Sequence, residues 1–68
     1  MVVKDVKQRE IEQFLARSGW VLLRSSRHNI WGSPDGKDTI AIPRHGVVKA
    51  GVVRQVIERV PDTPASWR

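Results

Sequence analysis

Between Trp20 and Pro43 the chain alternates apolar runs with turn signals, and this alternation makes an antiparallel meander the simplest fold. Residues 20–24 read Trp-Val-Leu-Leu-Arg. They are nearly all apolar, which predicts a strand covered on both faces, as at the centre of a sheet. Ser25, Ser26 and Arg27 form a polar break. Residues 28–32 alternate weakly and predict a second strand. Ser33-Pro34-Asp35-Gly36-Lys37 is a strong turn, since proline and Asp-Gly supply the backbone angles a reversal needs. Residues 39–42 return as a third strand, stopped by Pro43.

A helix is predicted on each side of the meander. In the first, Val3, Val6, Ile11, Phe14 and Leu15 are spaced for one apolar face. Asp5 fits as N-cap with Gln8 completing a capping box, and Gly19 fits the position just past the helix end. The expected span is 5–18. In the second, Val52, Val53, Val56, Ile57 and Val60 recur at helical spacing, with Arg54, Gln55, Glu58 and Arg59 on the other side. Valine is a poor helix former, so packing on the sheet must compensate. Pro61 ends this helix. The expected order is helix, three strands, helix, with both helices on one sheet face and the other face free. Phe14, Leu15, Ile40, Ile42, Val53, Val56 and Ile57 should share one core. Residues 1–60 are read as one domain and 61–68 as a C-terminal tail, with Trp67 either an exposed anchor for a partner or an incidental tail residue. Trp20 reads as core, and Trp31 as either sheet packing or a base-stacking platform.

Sixty-eight residues suffice for one small core. The chain has no cysteine, hence neither disulfides nor thiolate metal sites, which fits a cytoplasmic protein. No apolar run approaches a membrane span, and the charged N-terminal ten residues do not read as a signal peptide. Lys and Arg number 12 against 7 Asp and Glu, an excess that suits a polyanion, usually nucleic acid. Net charge can also serve solubility alone.

The catalytic options are few. No carboxylate pair has a useful spacing on a strand, and Asp35 and Asp38 read as solvated turn residues. No serine lies in a nucleophile elbow and no glycine loop resembles a phosphate cradle. Two histidines separated by a hairpin are not a metal-ligand spacing. Histidine with arginine and lysine remains, and RNA cleavage needs little more. A base removes the proton of the 2′-hydroxyl, a task that suits imidazole with its unperturbed pKa of about 6.5. Cations then stabilise the charge that builds on phosphorus. His28 opens the second strand within Arg24-Ser25-Ser26-Arg27-His28, and His45 follows Arg44 in the next loop. Taken alone, either histidine is more often a surface or packing residue than a catalyst. Lys49 and Gly51 begin the last helix, where backbone N–H groups favour an anion; the plainer alternative is a solvated lysine and a capping glycine. Arg24, Arg27, Arg44 and Lys49 are expected to form one patch around His28, with His45 as a further phosphate contact.

The pattern resembles the HicA family of mRNA interferase toxins. It rests on residues 11–15, Ser18-Gly19-Trp20, Leu23-Arg24, Ser26-Arg27-His28, Pro34-Asp35-Gly36, Ile42-Pro43-Arg44-His45-Gly46, and Lys49 with Gly51 before the last helix. It covers residues 6–60. The resemblance implies an α+β fold like a double-stranded-RNA-binding domain, α-β-β-β-α, with two helices on one face of a three-stranded antiparallel sheet. It implies a type II toxin acting as a metal-independent endoribonuclease on mRNA, without cofactor, and with His28 as general acid/base. It also implies a cognate HicB-like antitoxin that covers the site. Ser26 and Arg27 stand where the family usually has Gly-Ser. A non-catalytic RNA-binding domain would use the same fold and charge without needing His28. A module whose basic face binds an acidic protein is a third reading.

Overall fold

A computed structural model of the chain describes residues 2–68. Its elements are β1 (Val6–Lys7), α1 (Gln8–Arg17), β2 (Val21–Ser25), β3 (His28–Gly32), β4 (Thr39–Pro43), β5 (Val47–Val48), α2 (Ala50–Arg59) and a final 3₁₀ turn (Ala65–Trp67). The main sheet is antiparallel in the order β2-β3-β4, and β1 and β5 form a separate two-stranded ladder. The α-β-β-β-α order expected from sequence therefore holds, with two short strands added. Ile40 and Ile42 of β4 and Trp31 of β3 alternate inward, where they meet Ile11, Phe14 and Leu15 of α1 and Val53 and Val56 of α2 in one core. Ile57 packs against its edge. Both helices thus lie on one face of the sheet, as in a double-stranded-RNA-binding domain. No helix among the described residues is long and apolar enough to cross a membrane.

Three expectations need correction. First, α1 starts at Gln8 rather than Asp5. Val6 and Lys7 are extended because they pair with Val48 and Val47. Asp5 is consequently outside the helix, and its Oδ1 accepts the backbone N–H of Ala50 at 2.8 Å, so it caps α2 instead. Gln8 makes no capping box: its backbone N–H donates to Gly46 O, and its Oε1 accepts the N–H of Gly46.

Second, β2 is an edge strand, not a central one. Strand order follows chain order, so β3 takes the middle, with Asn29, Trp31 and Gly32 buried. Val21, Leu22 and Leu23 remain 58%, 45% and 60% exposed. A bulge falls between Leu22 and Arg24 and leaves Leu23 unpaired.

Third, the segment after Pro61 docks. Asp62, at φ 65°, turns the chain back after α2. Trp67 is then almost wholly buried, and its ring meets Phe14 edge-on with centroids 5.2 Å apart. The indole N–H donates to Glu10, and Trp67 O accepts the N–H of Lys4 at 2.9 Å. A tryptophan read as a tail residue is part of the core.

Candidate active site

Strand alternation sends Asn29 and Trp31 toward the helices, and His28 and Ile30 toward the open face. His28 is exposed at the start of β3, opposite Pro43 of β4. Ile30 pairs with Ala41 on one side and Arg24 on the other, so Arg24 shares the open face with His28. Leu23 lies over the same face: a Cβ added at Gly32 would stand 2.8 Å from its Cδ1.

Ser26 and Arg27 form the tip between β2 and β3. Neither has a positive φ, so this tip does not need the glycine usual before the histidine in the family it resembles. Arg44, from the loop after β4, donates from Nη1 to Ser26 O at 2.9 Å and ties that loop to the tip. Arg24, Arg27, His28, Arg44 and His45 are all exposed. The ion pair present among the described residues is Lys49 with Asp5, so the arginines near His28 have no carboxylate partner. Residues 13–34 contain no Asp or Glu.

The predicted site residues do not all converge. His28, Arg24, Arg27 and Arg44 belong to one end of the sheet. His45 sits two positions beyond Pro43, the partner of His28, in a loop whose next residue, Gly46, is held by Gln8. Lys49 stands apart. Its Nζ lies 3.6 Å from Asp5 Oδ2, and the α2 N-terminus read as a phosphate site already holds that carboxylate. Trp31 is buried, which fits sheet packing and leaves no exposed ring for stacking.

Sequence reasoning missed what lies beneath the hairpin. Glu12, half-buried on α1, accepts from Gln8 Nε2 at 2.7 Å and from Trp31 Nε1 at 2.8 Å. Asn29 Nδ2 donates to both of its oxygens, at 3.1 and 2.8 Å. Asn29 Oδ1 in turn accepts the Ser25 hydroxyl at 2.8 Å. A signal was available: Asn29 shares strand parity with core Trp31, and an inward polar side chain needs a partner. Glu12, at the border of the apolar stripe and four residues after Gln8, is placed to supply it.

A family model described as the HicA toxin of bacterial toxin-antitoxin matches residues 8–60. Comparisons with curated proteins and with solved structures gave no match. The match runs from the first residue of α1 past the end of α2 and includes the His28 hairpin. On that extent, and with the two-helix, three-stranded fold expected for it, this chain belongs to the HicA toxin family.

Proposed function

We propose that this toxin is a metal-independent endoribonuclease acting on mRNA, with His28 as the general base. The observation that carries the reading is the exposed imidazole on the open sheet face, beside arginines with no carboxylate partners. His28 would take the proton of a 2′-hydroxyl as that oxygen attacks the adjacent phosphorus. The bond to the 5′ oxygen then breaks, leaving a 2′,3′-cyclic phosphate and a 5′ oxygen that takes up a proton. Arg24, Arg27 and Arg44 would hold the phosphodiester and offset charge on its oxygens. His45, in the adjoining loop, is a further phosphate contact. Lys49 has the weakest support, because Asp5 neutralises it.

The partner follows from the same surface. A HicB-like antitoxin would silence the toxin by covering the open face and burying His28, and acidic side chains opposite the arginines would favour its approach.

The test is cleavage of purified RNA with EDTA present, comparing the parent with His28→Ala. A positioned base contributes on the order of 10²–10⁴-fold, so the variant should lose visible cleavage while keeping RNA affinity. Equal cleavage by both proteins would remove His28 from the mechanism, and no cleavage by either would leave the non-catalytic RNA-binding reading. Loss of the parent's activity in EDTA would instead point to a metal.

A further inference from the structure

We propose that Glu12 is a positioning residue for His28, acting through Asn29 and Ser25 to set the geometry of the hairpin that carries the imidazole. The inference rests on His28 being the base.

An ionised carboxylate only accepts hydrogen bonds, so every donor facing it has a defined orientation. Glu12 receives Gln8 from its own helix and Asn29 and Trp31 from β3. Such charge-assisted bonds are stronger than neutral ones. Because Asn29 directs its NH₂ at the carboxylate, its Oδ1 must face the other way, where it accepts the Ser25 hydroxyl. Rotating the amide by half a turn would set its oxygen against the carboxylate oxygens, whereas the Ser25 hydroxyl can donate or accept and does not decide the orientation. The amide therefore has one usable orientation, and Glu12 selects it.

The consequence falls on the two-residue tip. Ser25 ends β2 on one side of it, and Asn29 follows His28 on the other. Both flanks are thus joined, side chain to side chain, to an anchor on α1. Arg44 holds Ser26 O from the β4–β5 loop. His28 itself points away from all of this, onto the open face. It makes no bond to Glu12 and would feel it only through the backbone position of the hairpin. A base must sit within hydrogen-bond reach of the proton it removes, and a misplacement of about 1 Å can cost about 100-fold in rate.

The alternative is that Glu12 merely satisfies Asn29 and Trp31. Both roles predict lower stability on substitution, so stability cannot separate them. Turnover can. Cleavage should be measured well below each variant's unfolding midpoint for parent, Glu12→Gln, Trp31→Phe and Ser25→Ala. Glu12→Gln keeps one oxygen for Asn29 and Trp31, but its NH₂ would face the Gln8 and Asn29 donors that Glu12 Oε1 accepts. Its kcat should fall by about 10- to 100-fold with KM for RNA unchanged. Trp31→Phe removes one donor but leaves the path through Asn29 and Ser25, so it should keep kcat. Ser25→Ala, which cuts the far end of the path at an exposed residue, should lower kcat by a smaller factor, again at constant KM. It carries the test if Glu12→Gln fails to fold. In a His28→Ala background, Glu12→Gln should have no further effect on residual cleavage.

An unchanged kcat in both Glu12→Gln and Ser25→Ala overturns the proposal. So does an equal loss from Glu12→Gln with and without His28. If His28→Ala cleaves at the parent's rate, the reading of His28 as base fails by itself, whatever Glu12→Gln does.

Discussion

Asp5 and Ala50 are 45 positions apart, and the carboxylate of the first caps the helix that the second begins. The contact binds the segment before β1 to the start of α2 and reinforces the β1–β5 ladder beside it. Loss of a side-chain cap costs about 1 kcal/mol, within a range of roughly 0.5–2. Asp5 is nearly half exposed, so the lower half of that range applies. Asp5→Ala should lower the unfolding midpoint in urea accordingly. Asp5→Asn, which keeps an acceptor, should recover most of the loss, and Lys49→Ala should change little.

Trp67 fills space between the helix-side core and the N-terminal segment. Replacing a fully buried tryptophan by alanine costs roughly 3–5 kcal/mol, a large share of the stability of a domain this size. Trp67→Ala should therefore be largely unfolded at 37 °C, as judged by near-ultraviolet circular dichroism. Trp67→Phe should retain the fold but lose the indole bond to Glu10.

The arginines of the open face should reveal themselves through salt. Each phosphate contact removed lowers the slope of log affinity against log salt by about 1. Arg24→Ala and Arg27→Ala should each do so in filter-binding titrations with RNA. Lys49→Ala should leave the slope nearly unchanged, because Asp5 already neutralises that ammonium. An affinity that is flat across salt for the parent would remove the electrostatic RNA surface altogether.

Acid should loosen the β3–β4 turn before the rest of the fold. The Ser33 hydroxyl, and then the backbone N–H of Lys37, hold the Asp35 carboxyl below its ordinary value. A carboxyl depressed in the folded state stabilises it above the unfolded pKa, and that contribution is lost as pH falls through the folded one. Protection of the Lys37 and Asp38 amides, taken relative to their intrinsic exchange rates, should thus fall below about pH 4, the ordinary carboxylate range. Asp35→Asn should show lower protection at neutral pH and little further change in acid.

What could be read from sequence was whatever depends on near neighbours. The i, i+4 valines located the buried face of α2, and Pro34-Asp35-Gly36 located the turn. The break at Ser26-Arg27 placed His28 at a strand start. Where sequence reasoning failed, a distant partner had prevailed over a local pattern. Asp5 and Gln8 match a capping box, but Ala50 and Gly46 take them. The apolar run 21–23 resembles a central strand, yet order within the sheet leaves it at the edge. Trp67 follows two prolines, and nothing nearby announces that Phe14 will receive it. The candidate site divides in the same way. Its exposed cations were legible as charge beside a histidine, whereas Glu12 gains its place only once α1 lies across β3.

The uncovered run at Val21, Leu22 and Leu23 bears on how copies of the toxin behave toward one another in solution. A net charge of +5 keeps them apart at low ionic strength, despite an apolar margin with unpaired backbone groups. At 0.15 M salt the screening length is about 8 Å, and the repulsion that isolates those margins is largely gone. Dispersal of the free toxin is thus an electrostatic condition, and the concentration at which it begins to associate should drop as salt rises.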